Sequence, residues 1–191
     1  MGYATSWIAF RGKTDAQAAE LLGLSPSGKF EEVPESMFSG VRPDNRWYGV
    51  VINEYGHKFV RERSLQRVSA AADVVATAIE EHAMFTSAEA WTSGNVIWRV
   101  SHASGSSRHL EEHGSLPGQY FAAKERLLAA EQREDEGDRE PDYVFDVRLE
   151  LSQAIVGCKH DRVLDSRFEI LKPLAVTAGG GPLSRLFRVS S

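Results

Sequence analysis

Residues 74 to 100 read VVATAIEEHAMFTSAEAWTSGNVIWRV, and this stretch decides the fold class. Val74, Val75 and Ile79, then Met84, Phe85, Ala88, Ala90 and Trp91, then Val96, Ile97, Trp98 and Val100 fall in short β-branched and aromatic runs. Runs of that length and composition suit strands. Ser93-Gly94-Asn95 supplies a tight turn before Val96, and the whole reads as an antiparallel meander. The join near His82 and Ala83 has no Gly, Pro or Asn, which leaves two strands or one long strand bent by a bulge. Gly105 with its flanking serines closes the next hairpin, and Arg108 to Glu112 is its polar edge strand.

Upstream, Tyr3 to Arg11 carries Ala4, Ile8 and Phe10 in alternation with Thr5, Trp7 and Ala9, a strand apolar on both sides. Such a strand belongs inside a sheet covered on both faces. Thr14 or Asp15 offers an N-cap to a helix through Leu22, and Gly23 suits its left-handed end. Pro26, Gly28, Pro34, Gly40 and Pro43 make Ser25 to Arg46 a long irregular crossing. Trp47 to Asn53 returns to strand, with Tyr48, Val50 and Ile52 on one face, and a short helix spans Ser64 to Ala70.

Downstream, Pro117 opens a helix whose Tyr120, Phe121, Lys124, Leu127, Leu128 and Glu131 lie along one stripe. Asp146 caps a second, with Val147, Leu151, Ala154 and Ile155 inward and Gly157 at its end. Phe168 to Leu171 is a final strand. The expected architecture is α+β: a mostly antiparallel sheet with a central meander and two or three helices packed on it, as one domain over residues 1–172, followed by a flexible Gly-containing tail over 173–191.

The chain has 191 residues, with 22 Lys and Arg against 27 Asp and Glu, a net charge of −5. That length buries a real core. The acidic balance, without a long basic run, excludes a general nucleic-acid binder. No apolar run approaches the roughly 20 residues of a membrane span, and Met1 to Phe10 lacks the pattern of a secretory signal. Met1, Gly2 and Ser6 match the myristoylation pattern, but the same residues alternate like a core strand. One cysteine, Cys158, rules out an intramolecular disulfide framework and a CxxC zinc knuckle. Its place after a helix C-terminus argues against use as a nucleophile. A cytoplasmic protein is expected.

Among motifs, His109-Leu110-Glu111-Glu112-His113 matches H-x-x-E-H. On a helix, His109 and His113 share a face toward one zinc, with Glu112 as general base. On a strand, His109, Glu111 and His113 project together instead. His102, with Glu80-Glu81-His82 on a neighbouring strand, forms a second candidate pair for acid-base work. The catalytic candidates are therefore His82, His102 and Glu112, and the metal candidates are His109, Glu111 and His113. Trp7, Trp47, Trp91 and Trp98 are read as core. The glycines at 179 to 181 lack the Lys-Ser/Thr of a P-loop.

From Glu131 to Asp142 seven acids face two bases, a local net of −5 that equals the excess of the whole chain. Such a run suits docking to a basic partner. Ser6-Trp7-Ile8-Ala9 with Arg11-Gly12-Lys13, the block Trp98-Arg99-Val100-Ser101-His102, and Tyr143-Val144-Phe145-Asp146-Val147 resemble a set of uncharacterised bacterial proteins over most of residues 1–172. The resemblance implies a bacterial intracellular origin and transfers no activity, cofactor or catalytic residue. The leading expectation is a non-enzymatic acidic interaction protein, of inhibitor or immunity type, that uses no cofactor. It would bind a basic protein partner through Glu134, Asp135, Glu136, Asp138 and Glu140. The alternative is a metal-dependent hydrolase that uses His102, His109, Glu111, Glu112 and His113 with zinc or manganese.

Overall fold

A computed structural model describes residues 4–43, 46–103, 110–131, 143–157 and 167–174. Nine strands, β1 (Ala4–Arg11), β2 (Leu24–Glu31), β3 (Phe38–Val41), β4 (Trp47–Ile52), β5 (Asp73–Glu80), β6 (Phe85–Thr92), β7 (Asn95–Ala103), β8 (Glu111–Gly114) and β9 (Phe168–Pro173), join one antiparallel sheet. Their spatial order is β2-β9-β3-β4-β1-β5-β6-β7-β8. Helices α1 (Asp15–Leu21) and α2 (Glu62–Ser69) cover one face, with a 3-10 turn at Lys58–Val60. Helices α3 (Gly118–Glu131) and α4 (Tyr143–Val156) cover the other. The class is α+β as the sequence indicated, with four helices among the described residues where two or three were expected.

The three-layer form follows from β1. Thr5 to Phe10 are all buried between β4 and β5. Ile8 and Phe10 turn toward Ala18, Ala19, Leu22, Leu65 and Val68, while Trp7 and Ala9 turn toward Tyr120, Val147, Leu151 and Val156. Each large apolar side chain so removed from water contributes about 1.5–3 kcal/mol. The four tryptophans are buried as expected.

Local chemistry sets the joins. Thr14 and Gln17 make a reciprocal capping box at the start of α1, and Gly23 takes φ +72° just past its end. Val74 to Trp91 resolves as two strands, reversing at residues 81–84 with Met84 at φ +48°. Ser93 and Gly94, at φ +49° and +78°, form the two-residue turn between β6 and β7. A bulge follows, since Trp91 pairs with Val96 and Ala90 with Trp98, and Ile97 is the extra residue.

Several sequence-based boundaries change. The segment from Ser25 to Arg46 is no simple crossing, because it contains β2 and β3. β2 is an outer strand whose register breaks between Pro26 and Phe30, so it shows no clean alternation, and its partner β9 arrives from the far end of the chain. The edge strand β8 begins at Glu111 and runs to Gly114. On α3, Tyr120 is buried but Phe121 is 56% exposed, because adjacent residues on a helix diverge by about 100°. α4 begins at Tyr143, which places Asp146 in its first turn, and Ala154 faces water while Val156 is buried. β9 continues to Pro173, and the Leu174 amide donates to the Gly23 carbonyl at 2.8 Å.

Gly40 on β3 lies against the buried ring of Tyr48. A Cβ there would stand 1.9 Å from the Tyr48 hydroxyl oxygen and 2.8 Å from Cζ. Gly40→Ala is therefore expected to lower unfolding free energy by about 1–3 kcal/mol in urea denaturation. Adding Tyr48→Phe to that variant should recover part of the loss, since it removes the nearer atom, and no recovery would contradict this packing.

Candidate functional site

The α3/α4 face holds a buried polar cluster. Alternation along the strands aims Thr77 of β5, Thr86 of β6, His102 of β7 and Glu112 of β8 at it. From α4, Arg148 and Ser152 stand one helical turn apart and are fully buried. Arg148 Nε donates to Thr86 Oγ1, and the Ser152 and Thr77 hydroxyls share a hydrogen bond of 2.8 Å. The pair of contacts fixes how α4 crosses β6 and β5. His102, 5% exposed, sits directly across from Thr86.

Toward the sheet edge the cluster continues through Tyr120 of α3. Its hydroxyl donates to Glu112 Oε1, and Lys124 Nζ, one turn along the helix, donates to the same oxygen at 2.6 Å. The Lys124 and Tyr120 hydrogen bonds hold the Glu112 carboxyl below its ordinary value of 4.5, against the opposing effect of burial. Burial raises the Tyr120 phenol, and the hydrogen bond to Glu112 raises it further. Arg126 Nη2 reaches Glu150 and ties α3 to α4. A carboxylate engaged by two donors is a weak proton acceptor, so this arrangement acts first as a clamp joining β8, α3 and α4.

The sequence candidates separate under this geometry. His102 and Glu112 share the inner face, since Val100, two residues from His102, pairs with Glu112. His82 is exposed in the β5–β6 turn, where its amide donates to Glu80 Oε1 at 3.2 Å. Glu80 pairs with Phe85, and Ile79 with Thr86, so Glu80 points to the opposite face from His102 with β6 between them. Of the Glu80-Glu81-His82 segment expected near His102, Glu80 is thus turned to the other face of the sheet.

Residues 111–114 are a strand, which corrects the helical reading of H-x-x-E-H. Glu111 and His113 face one side and Glu112 the other, so one metal cannot gather His113 with Glu112 as its neighbouring base. Glu111 Oε2 accepts from the Ser101 hydroxyl at 3.0 Å, and His113 pairs across from Arg99. Among the described residues no group of three or more His, Cys, Asp or Glu side chains is placed to hold a metal ion. His109 and the acids Glu134, Asp135, Glu136, Asp138 and Glu140 lie outside the described residues, as does Cys158.

Arg148 was missed by periodicity. Its signal was present as a cation set among Val147, Leu149 and Leu151, with two threonines on facing strands. Counting apolar residues alone passes over such a position.

Because the Glu112 carboxyl is depressed by partners found only in the fold, its contribution to stability is present above about pH 4.5 and is lost as pH falls below it. Denaturant midpoints measured from pH 6 to 3 should fall less steeply in Glu112→Gln than in the unsubstituted chain, and parallel curves would contradict the clamp. No family model, no curated protein and no solved structure matches the chain.

Proposed function

We propose that this chain is a non-enzymatic interaction protein of inhibitor or immunity type, which takes a basic protein partner through Glu134, Asp135, Glu136, Asp138 and Glu140. One observation carries this: the run from Glu131 to Asp142 holds a net of −5, the whole charge excess of the chain, in the connection between α3 and α4. Concentrated charge of one sign speeds encounter with an oppositely charged surface and selects among partners. Further support comes from the inner polar groups. Glu112, Arg148, Thr77 and Ser152 are engaged with one another's elements and serve packing. Among the described residues no helix is long and apolar enough to cross a membrane. A cytoplasmic setting is supported by the single cysteine.

The test compares the chain with a variant in which Glu134, Glu136 and Glu140 become Gln and Asp135 and Asp138 become Asn. Basic proteins captured from native lysate are identified, purified and titrated against both. The expected result is at least a tenfold weaker Kd for the variant, and a loss of similar size for the unsubstituted chain between about 0.1 M and 0.5 M salt. His102→Ala should bind as the unsubstituted chain does. Equal affinity of the five-fold variant, or loss on His102→Ala alone, would overturn the proposal.

A further inference from the structure

On the opposite face of the sheet from α3 and α4, the Lys58–Val60 turn meets α2 at a groove of about 450 Å³. Lys58, Phe59, Arg61, Arg63, Ser64 and Arg67 line it. The four cations are exposed, and among the described residues none of them is in an ion pair. That contrasts with arginines elsewhere: Arg11 meets Asp73, Arg42 meets Asp15, Arg99 meets Glu89 and Arg126 meets Glu150. Glu62 is the single acid between residues 58 and 67, and its carboxylate is 3.8 Å from Arg99 on β7.

This placement works against α2. Arg63 and Arg67 stand four residues apart on one helical face, a spacing at which like charges destabilise a helix. Leu65 and Val68 hold α2 to the core regardless. The Arg61 Nε donates to the Gly56 carbonyl at 3.2 Å, which anchors that side chain at the groove's rim. His57, buried beside the groove, is held below the ordinary imidazole range mainly by burial. Lys58 and Arg61 lower it further, against the opposing effect of Glu54. The local field is positive although the chain as a whole is acidic.

We propose that this groove binds a phosphate-bearing small molecule, with the guanidinium groups of Arg63 and Arg67 forking its oxygens, Arg61 and Lys58 completing the charge balance, and the Ser64 hydroxyl donating to it. Planar guanidinium forks match phosphate geometry in pairs, which a lone ammonium does not. The four charges converge on one compact groove rather than tracking along a stripe, as a nucleic-acid backbone would require. The groove is also within the size range of small-ligand pockets.

The experiment titrates pyrophosphate into the full chain at constant ionic strength and follows the arginine Nε–Hε resonances and the melting temperature. Parallel titrations use an octaglutamate peptide and a short DNA duplex. The expected result is saturable shifts of the Arg61, Arg63 and Arg67 signals with Kd below about 1 mM. The variant combining Arg63→Gln and Arg67→Gln should bind at least about tenfold more weakly while melting, without ligand, at the same or a higher temperature. No saturable shift at about 10 mM pyrophosphate would overturn the proposal. So would unchanged affinity in the double variant, or tighter binding of the peptide or the duplex than of pyrophosphate.

Discussion

Burial of β1 on both faces is the constraint from which the rest of the structure follows. A strand with six consecutive buried residues exposes no side to water, so each face of the sheet needs its own cover. The chain supplies the first early, as α1 and α2, and the second late, as α3 and α4. The order of elements along the sequence is thus also a division between faces. Trp7 and Trp47 serve the later cover, while Tyr48 and Trp91 serve the earlier one, so adjacent residues such as Trp47 and Tyr48 belong to different cores.

The two covers differ in chemistry as well as position. Beneath α3 and α4 the sheet keeps polar groups: Thr86 meets Arg148, Thr77 meets Ser152, and Glu112 takes both Tyr120 and Lys124. A buried arginine is costly unless hydrogen-bonded, and its placement over Thr86 specifies one way for α4 to cross the strands. Beneath α1 and α2 the core is built on Ile8, Phe10, Val50, Ile52, Leu65 and Val68, and Phe59 of the same cluster also lines the cationic groove beside α2.

Much of this was legible in sequence where the signal was local. The meander from Val74 to Val100 shows in its alternation and in Ser93-Gly94, the caps of α1 in Thr14 and Gly23, and the interior position of β1 in its two-sided apolar pattern. What escaped was non-local or carried by exceptions. β2 is an outer strand interrupted by Pro26 and Gly28, and nothing near it in sequence announces that β9, more than 130 residues later, will pair with it. The histidine motif was ambiguous between helix and strand, and only the pairing of His113 with Arg99 settles that it is strand. The basic groove was hidden because Lys58, Arg61, Arg63 and Arg67 are interrupted by apolar residues and by Glu62, so no run of charge appears until the chain is folded.

The central claim, that β1 is the doubly covered axis of one continuous sheet, is tested most directly by native-state hydrogen exchange resolved by residue. Amides of Trp7, Ile8 and Ala9, with those of Val75 to Ala78, should exchange only through global unfolding and report one common free energy. Amides of Glu111 to Gly114 in β8 should exchange by local opening, orders of magnitude faster. Exchange at Ile8 as fast as in β8, or different opening energies for β1 and β5, would contradict a sheet organised about that strand.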